Sequence, residues 1–252
     1  MSVLVDRRGP VTVVTINRPE ASNALNRDVL ERIGTVLEES DADDGVGAVV
    51  LTGAGDRVFS AGLDLKAFAN DEKPLAGGDG GFRIFRDRFA KPLIAAANGH
   101  AVAGGFEMLL RCDLVVAAEH VEFGLPEVAR GLVAGYGVSV LPRRIPIQTV
   151  LELSLVGDRI TAHRAHELGL VNRVVPRGEA VDAAVALAGR IAANGPLALR
   201  LTKALAYAEE DDRARAVWDR ITQATQVALA SDDAKEGARA FVEKRPPIWT
   251  GR

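Results

Sequence analysis

The chain has 252 residues, 48% hydrophobic and 26% charged, enough for one large domain or two small ones around a sizeable aliphatic core. This composition excludes a disordered or fibrous chain, and a net charge of −3 leaves no global field to recruit nucleic acid. The single cysteine, Cys112, excludes an internal disulfide framework and fits a reducing compartment.

Arg7 and Arg8 follow a very short apolar run, so no signal-peptide core is expected at the N-terminus. Residues 2–6 and 11–17 read as a β-hairpin around a turn at 7–10, and Pro19 ends the second strand because it cannot continue a ladder. Val29, Leu30, Ile33, Val36 and Leu37 recur at helical spacing and predict a helix over 26–40. Residues 48–52 form a short apolar run closed by Gly53-Ala54-Gly55, the pattern of a buried strand. Residues 70–81 are expected to be mobile, since Gly77, Gly78, Gly80 and Gly81 cannot pack and lose much entropy on ordering. A helix over 82–90, a buried strand over 93–98, a helix over 106–111 and strands over 114–117 and 121–124 follow.

The stretch 92–118 is the most membrane-like, but Asn98, His100, Glu107, Arg111 and Asp113 within it are expensive in hydrocarbon. A soluble, cytoplasmic protein with no membrane contact is expected. Beyond about residue 148 the pattern turns helical, over 149–156, 162–168, 179–194, 196–208 and 213–230, with one strand at 171–175. Ser231 offers an N-cap for a last helix to residue 243. Strands alternating with helices, then a run of helices, predict an α/β body with a helical C-terminal part and a boundary near 190–196.

Several motifs fail on inspection. Gly53-Ala54-Gly55 is followed by Val58 where a dinucleotide fingerprint needs its third glycine. Ser60 lacks the leading glycine of a nucleophile elbow. The glutamate near His163 and His166 follows the pair instead of lying between them, so no metal site is expected. Cys112 reads as a small buried thiol in an apolar helix, not as a nucleophile partnered by His100.

Two segments carry more chemistry. Residues 94–107 run as a strand, a small-residue turn and a helix opening at Gly104-Gly105, with Glu107 in its first turn. Small residues let a ligand approach the backbone, and the free N–H groups of a helix N-terminus point outward as donors. The second segment is Phe123-Gly124-Leu125-Pro126-Glu127. Taken alone, Glu107 is better explained as an acid that complements the helix dipole, and Glu127 after Pro126 also reads as an ordinary first-turn acid. With a strand out and a strand back between them, both are expected to face one pocket, as general acid–base chemistry on a water requires.

Leu51-Thr52-Gly53-Ala54-Gly55, Phe59-Ser60-Ala61-Gly62-Leu63-Asp64-Leu65-Lys66, Lys91-Pro92-Leu93-Ile94-Ala95-Ala96, Gly104-Gly105-Phe106-Glu107 and Pro126-Glu127, in that order, resemble the crotonase (enoyl-CoA hydratase/isomerase) superfamily. The resemblance runs from Ile16-Asn17-Arg18-Pro19 to Phe241-Val242-Glu243-Lys244-Arg245. Leu141-Pro142-Arg143-Arg144-Ile145-Pro146 and the tail Pro247-Ile248-Trp249-Thr250-Gly251-Arg252 are most similar to carnitinyl-CoA dehydratase-like members. The resemblance implies an α/β, crotonase-like spiral of ββα units over 1–195, holding an acyl-CoA site. It also implies an α-helical oligomerisation region over 196–252 that builds a homotrimer or hexamer.

The implied activity is that of a lyase, an enoyl-CoA hydratase that reversibly hydrates a 2-enoyl-CoA or dehydrates a 3-hydroxyacyl-CoA. It needs no cofactor, coenzyme A being part of the substrate. By position the catalytic glutamates are Glu107 and Glu127, and the backbone donors of the oxyanion hole are Ala61 and Gly104. Ser60, Gly62, Leu63, Asp64 and Lys66 are the implied substrate-binding residues, with Gly62 and Asp64 shaping the loop that aims Ala61. Two positions depart from the family pattern. Ala103 stands where many members carry the first of three glycines, and the segment 131–142 is one residue shorter and carries Tyr136-Gly137-Val138 where a Gly-Gly pair is common. A double-bond isomerase of the same fold needs one carboxylate, and an RNA-binding member needs a basic tract. The two glutamates and the absence of such a tract weigh against both, and against a non-catalytic acyl-CoA binder.

Overall fold

The computed structural model describes residues 1–69 and 83–252. The loop expected over 70–81 lies outside the described residues, as does the first residue of the helix expected over 82–90. Strands β1 (Val3–Arg8) and β2 (Val11–Ile16) pair antiparallel, with Arg8 opposite Val11. Arg7 and Arg8 therefore belong to the strand, and the turn shrinks to Gly9-Pro10, where Gly9 adopts φ +60°. Helix α1 (Arg27–Ala42) begins at Asn26, whose side chain accepts from the Val29 N–H at 3.0 Å, and it buries the predicted stripe from Val29 to Leu37.

The chain then runs β3 (Ala48–Gly53), β4 (Val58–Ser60), α2 (Leu65–Ala69), α3 (Arg83–Arg86), β5 (Leu93–Ala97), β6 (His100–Val102), α4 (Gly104–Arg111), β7 (Leu114–Ala118) and β8 (Glu122–Gly124). It continues through α5 (Gly135–Val140), α6 (Ile147–Leu155), β9 (Arg159–Thr161), α7 (Ala162–Glu167), β10 (Arg173–Val175), α8 (Ala180–Ala192), α9 (Pro196–Ala230) and α10 (Asp232–Glu243). Successive strands are dealt to two sheets. One is six-stranded, in the order β1-β2-β3-β5-β7-β10, and the other four-stranded, β4-β6-β8-β9. The large sheet is covered on both sides, by the main core and by a layer in which Ala184 and Ala188 of α8 meet Val13, Val50 and Ile94. That is why its inner strands carry apolar residues on both faces, with Thr12, Thr15 and Thr52 the polar exceptions in β2 and β3.

Asn98 fixes the crossing between the sheets. Its buried amide accepts from the Gly53 N–H at 3.2 Å and donates to the Gly53 carbonyl at 2.6 Å and to that of Gly55.

The four-stranded sheet positions the site. Strands β4, β6 and β8 run parallel, with Ser60 opposite Ala101 and Val102 opposite Gly124. Their C-terminal ends share one edge, and the segments holding Ala61, Gly104 and Glu127 all leave from it. The expected strand out and strand back is corrected here, because β7 and β8 lie in different sheets. Glu107 and Glu127 are brought together by parallel neighbours, β6 and β8, not by a return within one sheet.

Two further expectations change. The helix over 82–90 is described only as Arg83–Arg86, because Arg88 leaves it to pair with Asp211 at 2.8 Å. The helices over 196–208 and 213–230 are one helix of 35 residues. The acidic run between them does not break it, since Asp211 meets Arg88 and Glu210 meets Arg144 at 2.9 Å. Among the described residues, no helix is long and apolar enough to cross a membrane.

Candidate active site

The loop after β4 is built on buried polar contacts. Ser22 and Asn23 both adopt left-handed backbone, at φ 53° and 52°. The Asn23 side chain donates to the carbonyls of Ala54 (3.0 Å) and Val58 (2.8 Å). Ser60 is fully buried, donates to the Asn23 carbonyl at 2.9 Å and accepts from the Gly62 N–H at 3.2 Å. Its hydroxyl is bonded within the loop and shapes it. Asp64 pairs with Arg18 at 2.9 Å and accepts from the Ala67 N–H at 3.2 Å, which caps α2. It also serves the loop. Lys66 is exposed on α2.

Ala61 does not supply a free donor. Its N–H is committed to the Ser22 carbonyl at 3.0 Å, which overturns its expected place in an oxyanion hole. The free N–H of this loop is that of Leu63. Leu63 forms a parallel bridge with Leu25, in which Leu25 N–H donates to the Gly62 carbonyl and Asp64 N–H to the Leu25 carbonyl. In that pattern the bridging residue's own N–H faces the opposite way. Among the described residues it meets no acceptor, and neither does the N–H of Gly104, the first residue of α4. The two groups are close: a Cβ built on Gly104 stands 3.8 Å from Leu63 N. Gly62 lies between them at φ +81°, where a Cβ would come within 2.7 Å of Gly104 N. The motif locates this loop, but the direction of each N–H is a property of the fold.

Ala103, the residue before α4, takes φ +52° and ψ −134°. That conformation costs an alanine about 1–3 kcal/mol. It is held by the Ala103 N–H donating to the Gly124 carbonyl at 2.9 Å.

Glu107 lies half-buried in the first turn of α4, and its carboxylate accepts from the Gly137 N–H at 2.7 Å. The Tyr136 N–H, one residue before it, also favours the charged carboxylate. Both donors belong to the first turn of α5, in the segment that departs from the family pattern. The sequence reading missed this clamp, because nothing in the residue types says which carboxylate those amides meet. Glu127 is buried, and its Oε2 has no partner among the described residues. Burial pushes the Glu107 carboxyl up to about 7, against the two N–H groups that favour its charge. Glu127 is pushed well above the usual range, first by burial and then by the charge of Glu107. The two groups titrate as a unit.

The other nucleophile and ligand candidates are apart from this edge. Cys112 is buried, and burial pushes its thiol up. His100 opens β6, at the opposite end of the strand, where its Nδ1 accepts from the Glu122 N–H at 3.0 Å. No group of side chains among the described residues is arranged to hold a metal ion.

The raised carboxyl has a consequence for stability. The folded chain keeps the Glu107 proton to higher pH than the unfolded chain, so this contribution is full below about 4.5 and lost as pH rises through about 7. Denaturant titrations of Glu107→Gln are expected to gain on the wild type across that window, and above it until Glu127 has ionised in the wild type. A difference that does not vary with pH would contradict the assignment.

Residues 6–252 match the family model described as enoyl-CoA hydratase/isomerase. The chain is 38% identical to a carnitinyl-CoA dehydratase of Salmonella paratyphi A, covering 100% of this chain and 99% of that protein. It superposes on the crystal structure of carnitinyl-CoA hydratase from Mycobacterium avium with a TM-score of 0.92 at 44% identity, covering 100% of this chain and 99% of that one. An enoyl-CoA hydratase from Mycobacterium tuberculosis H37Rv gives a TM-score of 0.78 at 46% identity, over the same 100% and 99%. With the two-sheet spiral and the paired glutamates in place, the chain belongs to the enoyl-CoA hydratase/isomerase family.

Proposed function

We propose that this protein is a hydro-lyase that reversibly adds water to a 2-enoyl-CoA thioester. One observation carries the reading: two unpaired backbone N–H groups and two coupled carboxyls converge at one edge of the four-stranded sheet. The thioester oxygen accepts from Leu63 and Gly104. Negative charge gathers on that oxygen as the enolate forms, and preorganised dipoles stabilise developing charge more than a resting carbonyl. Each such donor contributes about 2.7–4 kcal/mol.

Glu107, in the charged form that the α5 N–H groups favour, orients a water and takes its proton as the oxygen attacks C3. Glu127, the group pushed further up, gives its proton to C2. The proton gained by one carboxyl balances the proton lost by the other, and exchange across the pair restores the start. Dehydration is the same path in reverse. Both protons are handled by side chains of this chain, so the scheme calls on no cofactor beyond the coenzyme A of the substrate. The Salmonella relative is named for carnitinyl-CoA, so that thioester and a short straight-chain 2-enoyl-CoA are the substrates to assay first.

A homotrimer or hexamer in the cytoplasm is part of the proposal. Trp218 packs against this chain's own core, and Ile221 lies against Gly135. An exposed apolar stripe remains on α9 at Leu197, Leu201 and Leu205, exposed by 63%, 55% and 78%, and Val227 and Phe241 are exposed as well. Sedimentation is expected to give a trimer or hexamer at micromolar concentration. A stable monomer would sink this part.

The chemistry is tested at the absorbance band of the conjugated enoyl thioester. Loss of the band signals hydration, whereas its gain from a 3-enoyl substrate would favour an isomerase. Glu107→Gln and Glu127→Gln are each expected to lower kcat by about 10²–10⁴-fold, with thioester binding retained. Near wild-type turnover in both variants would overturn the mechanism.

A further inference from the structure

The turn that clamps Glu107 cannot hold itself in place. Helix α5 has six residues, and the residue before it, Ala134, gives no side-chain cap. So short a helix has no stability of its own, and the direction of its N–H groups is set by what packs around it. On one side Gly137 faces the site, where a built Cβ would stand 3.0 Å from Leu125 Cδ1 and 3.4 Å from Glu107 Oε1. On the other side Gly135 faces α9, where a built Cβ would stand 2.8 Å from Thr225 Oγ1 and 3.0 Å from Ile221 Cγ2. Helix α5 is wedged between α9 and the carboxylate it holds.

Helix α9 is also tied to the far end of the helix that carries Glu107. Lys203 pairs with Asp113 at 2.7 Å, just beyond α4. Glu210 pairs with Arg144, whose guanidinium also donates to the Leu110 carbonyl of α4 at 2.8 Å. One long helix therefore references both supports of Glu107: α4, which bears it, and α5, which holds its oxygen. We propose that α9 is a positioning element for Glu107, acting through Gly135, and that the seat formed by Ile221 and Thr225 sets where the α5 amides meet the carboxylate. The proposal rests on the reading of Glu107 as the group that activates water.

The test compares Gly135→Ala, Gly135→Ala with Thr225→Ala, and Glu107→Gln, reading kcat, KM and the pH profile of kcat. The first variant drives a methyl into the seat, and the second removes the nearest atom from it. Gly135→Ala is expected to lower kcat roughly 10–10²-fold with KM little changed, as displacement of a reacting group by about 1 Å does. The acid limb of the profile is expected to move to higher pH, because a carboxylate that loses N–H donors ionises later. Glu127 is the titratable neighbour that feels the same change. The double variant is expected to recover most of kcat and return the limb.

A folded Gly135→Ala protein with wild-type kcat and profile would overturn the proposal, as would a loss that Thr225→Ala does not recover. Should Gly135→Ala fail to fold, Ile221→Ala loosens the seat without adding an atom. The same fall and shift are expected there, and wild-type values would overturn the proposal. If Glu107→Gln loses turnover and the seat variants do not, the positioning role alone fails. If Glu107→Gln keeps turnover, the function reading fails and takes this proposal with it.

Discussion

Two carboxyl groups kept out of water beside each other are the costly feature on which the rest of the site depends. An isolated buried carboxylate is so unfavourable that the group shifts its ionisation instead. Here the burden is divided unequally. Glu107 accepts from the Gly137 N–H, and that of Tyr136 also favours its charge, while Oε2 of the buried Glu127 receives no partner among the described residues. The asymmetry gives the pair direction: one carboxyl is equipped to carry charge and the other to keep a proton. In the proposed reaction, a water and a thioester arriving at this edge would supply a partner for that atom.

Such a pair needs a rigid frame, and the frame is made of strained backbone pinned by buried polar groups. Ser22, Asn23, Gly62 and Ala103 all have positive φ and all lie around the two free amides. Asn23 and Ser60 hold the first loop, and Gly62 allows the close approach to Gly104. The twists turn Leu63 N–H away from its own ladder and towards the edge where β4, β6 and β8 end. Ligand sites at the carboxyl ends of parallel strands follow the same logic, because the chain leaves the sheet there with unpaired amides.

Much of this was legible in the residues. The stripe of α1, the apolar runs of β3 and β5, and the two glutamates behind small-residue turns each carry a local signal that survives folding. What the sequence hid was direction and distance. Strands β4, β6 and β9 have three residues each, too few for alternation to register. The motif Ser60-Ala61-Gly62-Leu63 identifies a donor loop, but which amide is free depends on Leu25 and Ser22, both from another segment. Residues 131–142 looked like a departure and proved to hold the Glu107 clamp, a role set by contact with α4 and α9. The two-sheet spiral was implied by family resemblance, since each ββα unit spends its strands on different sheets and no single unit announces the pairing.

An infrared pH titration of the carboxyl stretch in the wild-type protein tests the coupled carboxyl pair most directly. The account predicts a protonated-carboxyl band that persists through neutral pH and loses intensity above it, assigned by its disappearance in Glu127→Gln. Replacing Glu107 removes the neighbouring charge, so the remaining band should then be lost at lower pH. Ionisation of both groups in the ordinary glutamate range, at about 4.3, with no response of one to replacement of the other, would contradict it.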